Sequence, residues 1–203
     1  MKIRLYMIIP NTYVLGPGRR FGIWVQGCNK HCKGCLAPDS WDKNGGYETS
    51  ITDLAEEILS VDDIEGITIS GGEPFLQQDA LCELIKKVRE RKDIGVILYT
   101  GMNFAEIKDT ALARYADLIV DGEYILELND NKSLRGSSNQ NIICITERYK
   151  DVISKYYGVQ GRKIELNIFD GMTRMIGIPS NEFCQMIGEY DNEVSCLWRN
   201  TKR

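Results

Sequence analysis

The chain alternates between short apolar runs and longer stretches with apolar positions three and four apart. "RFGIWVQG" (Arg20 to Gly27) is apolar at nearly every position, which predicts a buried strand. The polar, turn-rich text from Lys33 to Tyr47 predicts a loop. In "SITDLAEEIL", Ser50 and Asp53 stand as in a capping box, and Ile51, Leu54, Ala55 and Ile58 fall on one helical face. "GITIS" (Gly66 to Ser70) then predicts a strand running into "GGEP". A helix follows over about Gln78 to Arg91, with Leu81, Leu84, Ile85 and Val88 on its apolar side.

The same rhythm continues. "IGVILYTG" (Ile94 to Gly101) and "ADLIVDG" (Ala116 to Gly122) predict strands, with "NFAEIKDTALARY" a helix between them. A polar stretch leads to the strand "IICIT" and a helix "ERYKDVISKYY". Strand–helix alternation argues for a parallel sheet with crossover helices. After Gly161 the pattern changes to two alternating runs around Asp170-Gly171, the signal of a β-hairpin. The expected organisation is a core over 1–159, with a hairpin and tail over 160–203 packed on it. No internal repeat or low-complexity segment interrupts this order.

Composition narrows the class. The chain has 203 residues, 43% of them hydrophobic and 27% charged, with a formal net charge of −4, as for one globular domain without a general electrostatic grip on nucleic acid. The apolar run at the N-terminus, Leu5 to Ile9, stops at Pro10 and is too short for a signal segment or membrane span. A cytoplasmic protein with reduced thiols is expected, and an odd count of seven cysteines agrees.

Three of those cysteines lie in "GCNKHCKGC": Cys28, Cys32 and Cys35, between Gly27 and Gly34. By itself the spacing suits either a three-cysteine, one-histidine zinc site using His31 or an iron–sulfur cluster. His31 directly precedes Cys32, a poor place from which to complete a tetrahedron. The other cysteines supply no second ligand pair: Cys82 falls in a helix, Cys144 in a strand, and Cys184 and Cys196 far apart in the tail. Three thiolates suit a [4Fe–4S] cube with one iron left open. "SGGEP" follows a strand, and Glu73 before Pro74 is biased to an extended conformation. Alone that segment reads as a turn.

Taken together, Cys28, Cys32 and Cys35 after one strand and Gly71, Gly72 and Glu73 after the next resemble the signature of the radical S-adenosylmethionine (SAM) superfamily. "GPGRR", "YTG", "DGEY" and above all "RGSSNQ" (Arg135 to Gln140) are similar to the glycyl-radical-enzyme activases, in particular those serving anaerobic ribonucleotide reductase. The likeness spans about Gly16 to Gln140. Gly34 replaces an aromatic residue often found before the third cysteine of the superfamily, and no second cysteine group lies between Cys35 and Ser50.

The resemblance implies an α/β fold with an incomplete (β/α) barrel, carrying the C-terminal hairpin as an extension. It implies one [4Fe–4S] cluster on Cys28, Cys32 and Cys35. SAM would lie at Gly71, Gly72 and Glu73, with Thr100, Gly101 and Asp121 along the rest of it. A flavodoxin or ferredoxin would deliver the electron that splits SAM to a 5′-deoxyadenosyl radical. The radical would take hydrogen from a glycine of a partner enzyme gripped by Arg19, Arg20 and Arg135. A radical SAM enzyme acting on a peptide or small molecule, and a zinc protein without SAM chemistry, are the alternatives.

Overall fold

The computed structural model describes residues 1–157, 161–169, 172–180, 182, 183 and 186. Cys184, Cys196, the tail and the Asp170-Gly171 turn lie outside the described residues. The seven-stranded main sheet has the order β3-β1-β2-β4-β5-β6-β7. Its strands are β1 (Lys2–Thr12), β2 (Arg20–Val25), β3 (Tyr47–Ser50), β4 (Gly66–Gly71), β5 (Gly95–Tyr99), β6 (Leu118–Asp121) and β7 (Asn141–Cys144).

Only β2, β4, β5 and β6 run parallel; β1, β3 and β7 pair antiparallel at the flanks. The expected parallel sheet is therefore its central portion. Lys2–Thr12 is a strand that the N-terminal text did not suggest. Its apolar run stops at Pro10, and a register shift between Leu5 and Met7 disturbs its alternation. β3, with no apolar core position of its own, was equally hidden; it exists because β1 offers it an edge.

Side-chain alternation sorts the parallel strands into two faces. Phe21, Ile23 and Val25, then Ile67 and Ile69, then Val96 and Leu98, then Ile119 face one core. Against it pack α1 (Ile51–Ser60), α2 (Gln78–Arg89) and the short α4 (Ala111–Tyr115), through Leu54, Ile58, Leu81, Leu84, Val88 and Leu112. Ser50 caps α1 by accepting the Asp53 N–H. The helix expected over 103–115 is divided: α3 (Phe104–Ile107) ends, and Thr110 caps a new start by accepting the Ala113 N–H.

The opposite face carries Trp24, Thr68, Ser70, Ile97, Tyr99, Leu118 and Val120. Part of it is lined by a second apolar cluster of Met7, Ile9, Leu15, Trp24, Ala37 and Ile176. Gly22 makes room there: a Cβ would stand 2.6 Å from the Trp24 ring. α5 (Lys150–Tyr156) and the antiparallel pair β8 (Glu165–Phe169) and β9 (Met172–Ile176) complete the elements. The expected hairpin strands are thus present.

Candidate metal and cofactor site

The carboxyl ends of β2, β4, β5 and β6 deliver the cysteine loop, Gly71–Gly72–Glu73, Thr100–Gly101 and Gly122 to one rim. Beneath it a cavity of about 500 Å³ is lined by Cys28, Cys32, Cys35, Ser70, Gly71, Gly72, Glu73, Thr100 and Gly101, among others. Sites in parallel α/β sheets form at this end of the strands.

The cysteine loop is tied on three sides. Its return arm is fixed by Gly27 N–H donating to the Ser40 carbonyl at 2.7 Å and Cys28 N–H to that of Trp41 at 3.1 Å. The Gln26 amide donates to the carbonyls of Asp39 and Asp42. On the next side, Gly72 N–H donates to Val25 O and Glu73 N–H to Gly27 O, each at 2.8 Å. A Cβ on Gly72 would lie 2.2 Å from that Gly27 oxygen, so the second glycine of the motif is a packing requirement. Gly71, at φ +97, sits in the left-handed region that glycine adopts freely. On the third side, Gly34 (φ +75) abuts Leu126, Lys30 pairs with Glu123 and Lys33 with Glu127.

All three thiols are half-buried and in no disulfide. Backbone N–H groups of Lys30 and Ala37 each reach a cysteine sulfur, Cys28 and Cys35, at 3.4 Å. Burial pushes the Cys32 thiol up, with a backbone hydrogen bond from Tyr124 opposing. The sulfurs do not form a closed ligand set: no group of three or more His, Cys, Asp or Glu among the described residues has metal-holding geometry. The donor set nevertheless suits an iron–sulfur cluster better than zinc. N–H groups already point at sulfur, which tunes such clusters. His31 turns outward at φ +51 against Trp41, ring centroids 4.9 Å apart, and is not part of the cavity wall. The Trp41 indole N–H is buried without a partner, a donor that an acceptor-rich ligand would satisfy.

Glu73 is 2% exposed, and three donors converge on its carboxylate: the Thr100 hydroxyl at 2.7 Å, Gly101 N–H at 2.9 Å and Phe75 N–H at 3.2 Å. Burial pushes its pKa up in spite of these bonds and of Lys30. Glu73 thereby fixes the Thr100–Gly101 turn to the Gly-Gly segment. Tyr99 also lines the cavity; burial holds its phenol above the usual range, with Arg20 opposing.

Four of the expected residues are engaged in contacts within the chain. Asp121 does not reach the cavity: it accepts Phe104 N–H at 2.6 Å and both the backbone and side-chain N–H of Asn141, which seats α3 and β7. Arg20 is fully buried. Its guanidinium donates to Thr68, Tyr149 and the carbonyls of Pro17, Ile67 and Gly95. Arg19 and Arg20 also stand at the start of β2, the end remote from the cysteine loop; Arg19 is engaged by Asn11 and the Asp62 carbonyl. Arg135 is already paired with Asp130 and bonded to the Gln140 carbonyl.

"RGSSNQ" is a scaffold. The Gln140 amide oxygen accepts Gly136 N–H at 2.7 Å while its nitrogen donates to Gly122 O at 2.7 Å. Ser137 accepts Ile125 N–H, and Asn139 donates to Glu123 O. The string therefore shapes residues 122–125, which lie against the cysteine loop. Lys30, Trp24, Tyr99, Tyr124 and Arg162 line the cavity without having been assigned to it by sequence. Period-2 alternation was the available signal for Trp24 and Tyr99, and Tyr124 closes the string "DGEY"; nothing local marks Arg162.

Residues 14–143 match a family described as a 4Fe-4S single cluster domain. An anaerobic ribonucleoside-triphosphate reductase-activating protein of Enterobacteria phage T4 is 37% identical over 143 residues, 66% of this chain and 90% of its own length. Proteins of the same name from Vibrio cholerae and Escherichia coli K12 are 34% and 33% identical over 144 residues, each 64% of this chain, covering 91% and 92% of theirs. The chain belongs to this activating-protein family. About a third of it has no counterpart in these relatives, and the family match ends at residue 143, before α5 and the hairpin. Among the described residues no helix is long and apolar enough to cross a membrane.

Proposed function

We propose that the protein is a radical SAM activase that generates a glycyl radical on an anaerobic ribonucleotide reductase. The observation that carries this reading is the convergence of Cys28, Cys32, Cys35, Gly71–Glu73 and Thr100–Gly101 on one cavity. The four parallel strands, with α1, α2 and α4 on one face and that cavity on the other, are read as the incomplete barrel of the superfamily. Cys28, Cys32 and Cys35 would hold a [4Fe–4S] cluster, and the Gly71–Glu73 and Thr100–Gly101 turns would hold SAM. When bound, these groups supply a 5′-deoxyadenosyl radical after one-electron reduction by a flavodoxin or ferredoxin.

The chain's own part is positional. The buried Glu73 carboxylate locks two turns into one cradle, so little reorganisation remains when a ligand enters. Trp24 and Tyr99 wall the interior against water, which protects a reactive species from side reactions. Gly34 and Leu126 keep the cysteine loop close to 122–128.

Anaerobic incubation of the reconstituted, reduced protein with SAM and the candidate reductase should give the doublet electron paramagnetic resonance signal of a glycyl radical. Release of deoxyadenosine without that signal would favour a peptide or small-molecule substrate instead. Residues 161–163 and 177–178, which wall part of the cavity, are the feature favouring that second reading.

A further inference from the structure

The C-terminal segment lies across the cavity-bearing face of the sheet. Ile176 is fully buried among Met7, Ile9, Leu15 and Trp24. Glu165 accepts the Tyr13 N–H at 2.7 Å, joining β8 to the end of β1. Arg162 fastens the segment to the opposite side. Its guanidinium donates to the carbonyls of Lys132 at 3.0 Å, Arg135 at 2.9 Å, Gly136 at 2.7 Å and Pro179 at 3.1 Å. Three of these carbonyls belong to the polar stretch that ends in "RGSSNQ". One arginine thus ties the extension to the loop that shapes the cavity rim.

Two facts give this contact its meaning. The relatives are matched over nine-tenths of their length by about two-thirds of this chain, and only thirteen residues precede the family match, so most of the unmatched third follows it. A cavity of about 500 Å³ is the size for one cofactor-sized molecule, without a polypeptide loop beside it. Residues 161–163 and 177–178 of the segment form part of the cavity wall, on the side from which a protein loop would have to enter.

We propose that residues 161–169 and 172–180 are a displaceable cover occupying, in cis, the docking surface for the partner reductase, which takes that surface by displacing them. This rests on the activase reading above. The apolar patch of Met7, Ile9, Leu15 and Trp24 takes an aliphatic side chain, and the carbonyls of Lys132, Arg135 and Gly136 take a donor group. Ile176 and Arg162 supply both from within the chain; a loop of the reductase supplies them when docked. The cover keeps the cavity shut until the correct protein arrives.

The test uses full-length, anaerobically reconstituted protein, its Arg162→Ala variant and a second variant, Ile176→Ala, which loosens the cover from its apolar end. Without partner, amide hydrogen exchange in 161–169 and 172–180 and at Tyr13 should quicken about tenfold in Arg162→Ala, as expected for lost charge-assisted bonds, while β4 and β5 stay unchanged. Both variants should bind the purified reductase more tightly than the parent, Arg162→Ala by about tenfold in Kd. Unchanged exchange would overturn the proposal. So would quickened exchange with unchanged or weakened affinity, since the segment would then be no competitor. If exchange quickens but no form binds any reductase while SAM is still cleaved, the activase reading itself falls, and the docking surface with it.

Discussion

Glu73 and Gly101 are joined by a 2.9 Å hydrogen bond from the Gly101 N–H to a carboxylate that is 2% exposed, the tie between the second and third turns of the cavity rim. The same carboxylate accepts from Thr100 and Phe75, so one acidic side chain satisfies three donors. In Glu73→Gln the amide offers one oxygen to those donors and turns an NH2 toward another. A loss of about 1–3 kcal/mol is expected, measured by denaturant unfolding. Glu73→Ala should lower SAM affinity more than iron content, because the carboxylate shapes the cradle and is not a cluster ligand.

The raised pKa of Glu73 carries a pH signature. Between the ordinary carboxyl value and the raised one, the folded state keeps a proton that the unfolded chain has lost. Stability should therefore fall as pH rises through that window. Unfolding curves taken upward from the ordinary carboxyl range should show this slope in the parent and lack it in Glu73→Gln.

Gly72→Ala places a Cβ 2.2 Å from the Gly27 oxygen, and both partners are backbone. The Gly-Gly segment must then part from the cysteine loop, at about 1–3 kcal/mol. Lower iron retention and a lower Tm are expected. Gly161→Ala, where nothing lies within 4 Å, is the matched control and should behave as the parent.

Replacing Cys28, Cys32 and Cys35 together by Ala should abolish the brown chromophore and its complement of about four irons. Cys82→Ala and Cys144→Ala should retain both, since neither lines the cavity. Stoichiometric zinc in a colourless parent protein would contradict the assignment.

The arginines should separate by stability. Arg20→Leu leaves Thr68, Tyr149 and three carbonyls without their buried donor, for a loss of about 3 kcal/mol or more. Arg135→Glu sets a second negative charge beside Asp130 and should loosen 130–140, disturbing the cavity rim before any partner is present. Thermal melts of the isolated variants distinguish this from an effect confined to partner binding.

Much of the cavity lining was legible in the sequence because it resides in short strings whose spacing does not depend on the rest of the fold. Cys28, Cys32 and Cys35 share one loop, and Gly71–Gly72–Glu73 is contiguous. The central strands and α1 and α2 were readable too, since their periodicity reflects a face each must bury. β1 and β3 were not, because strand pairing across an irregular register leaves little local pattern. The roles of Asp121, Arg20 and Arg135 were beyond sequence for a different reason. A charged side chain beside a motif reads the same whether it meets solvent, a partner or five buried acceptors, and only the tertiary structure sets Arg20 among Thr68, Tyr149 and three carbonyls. The docking of Ile176 and Glu165 across the cavity face was likewise decided in three dimensions, by contacts spanning more than a hundred residues of chain.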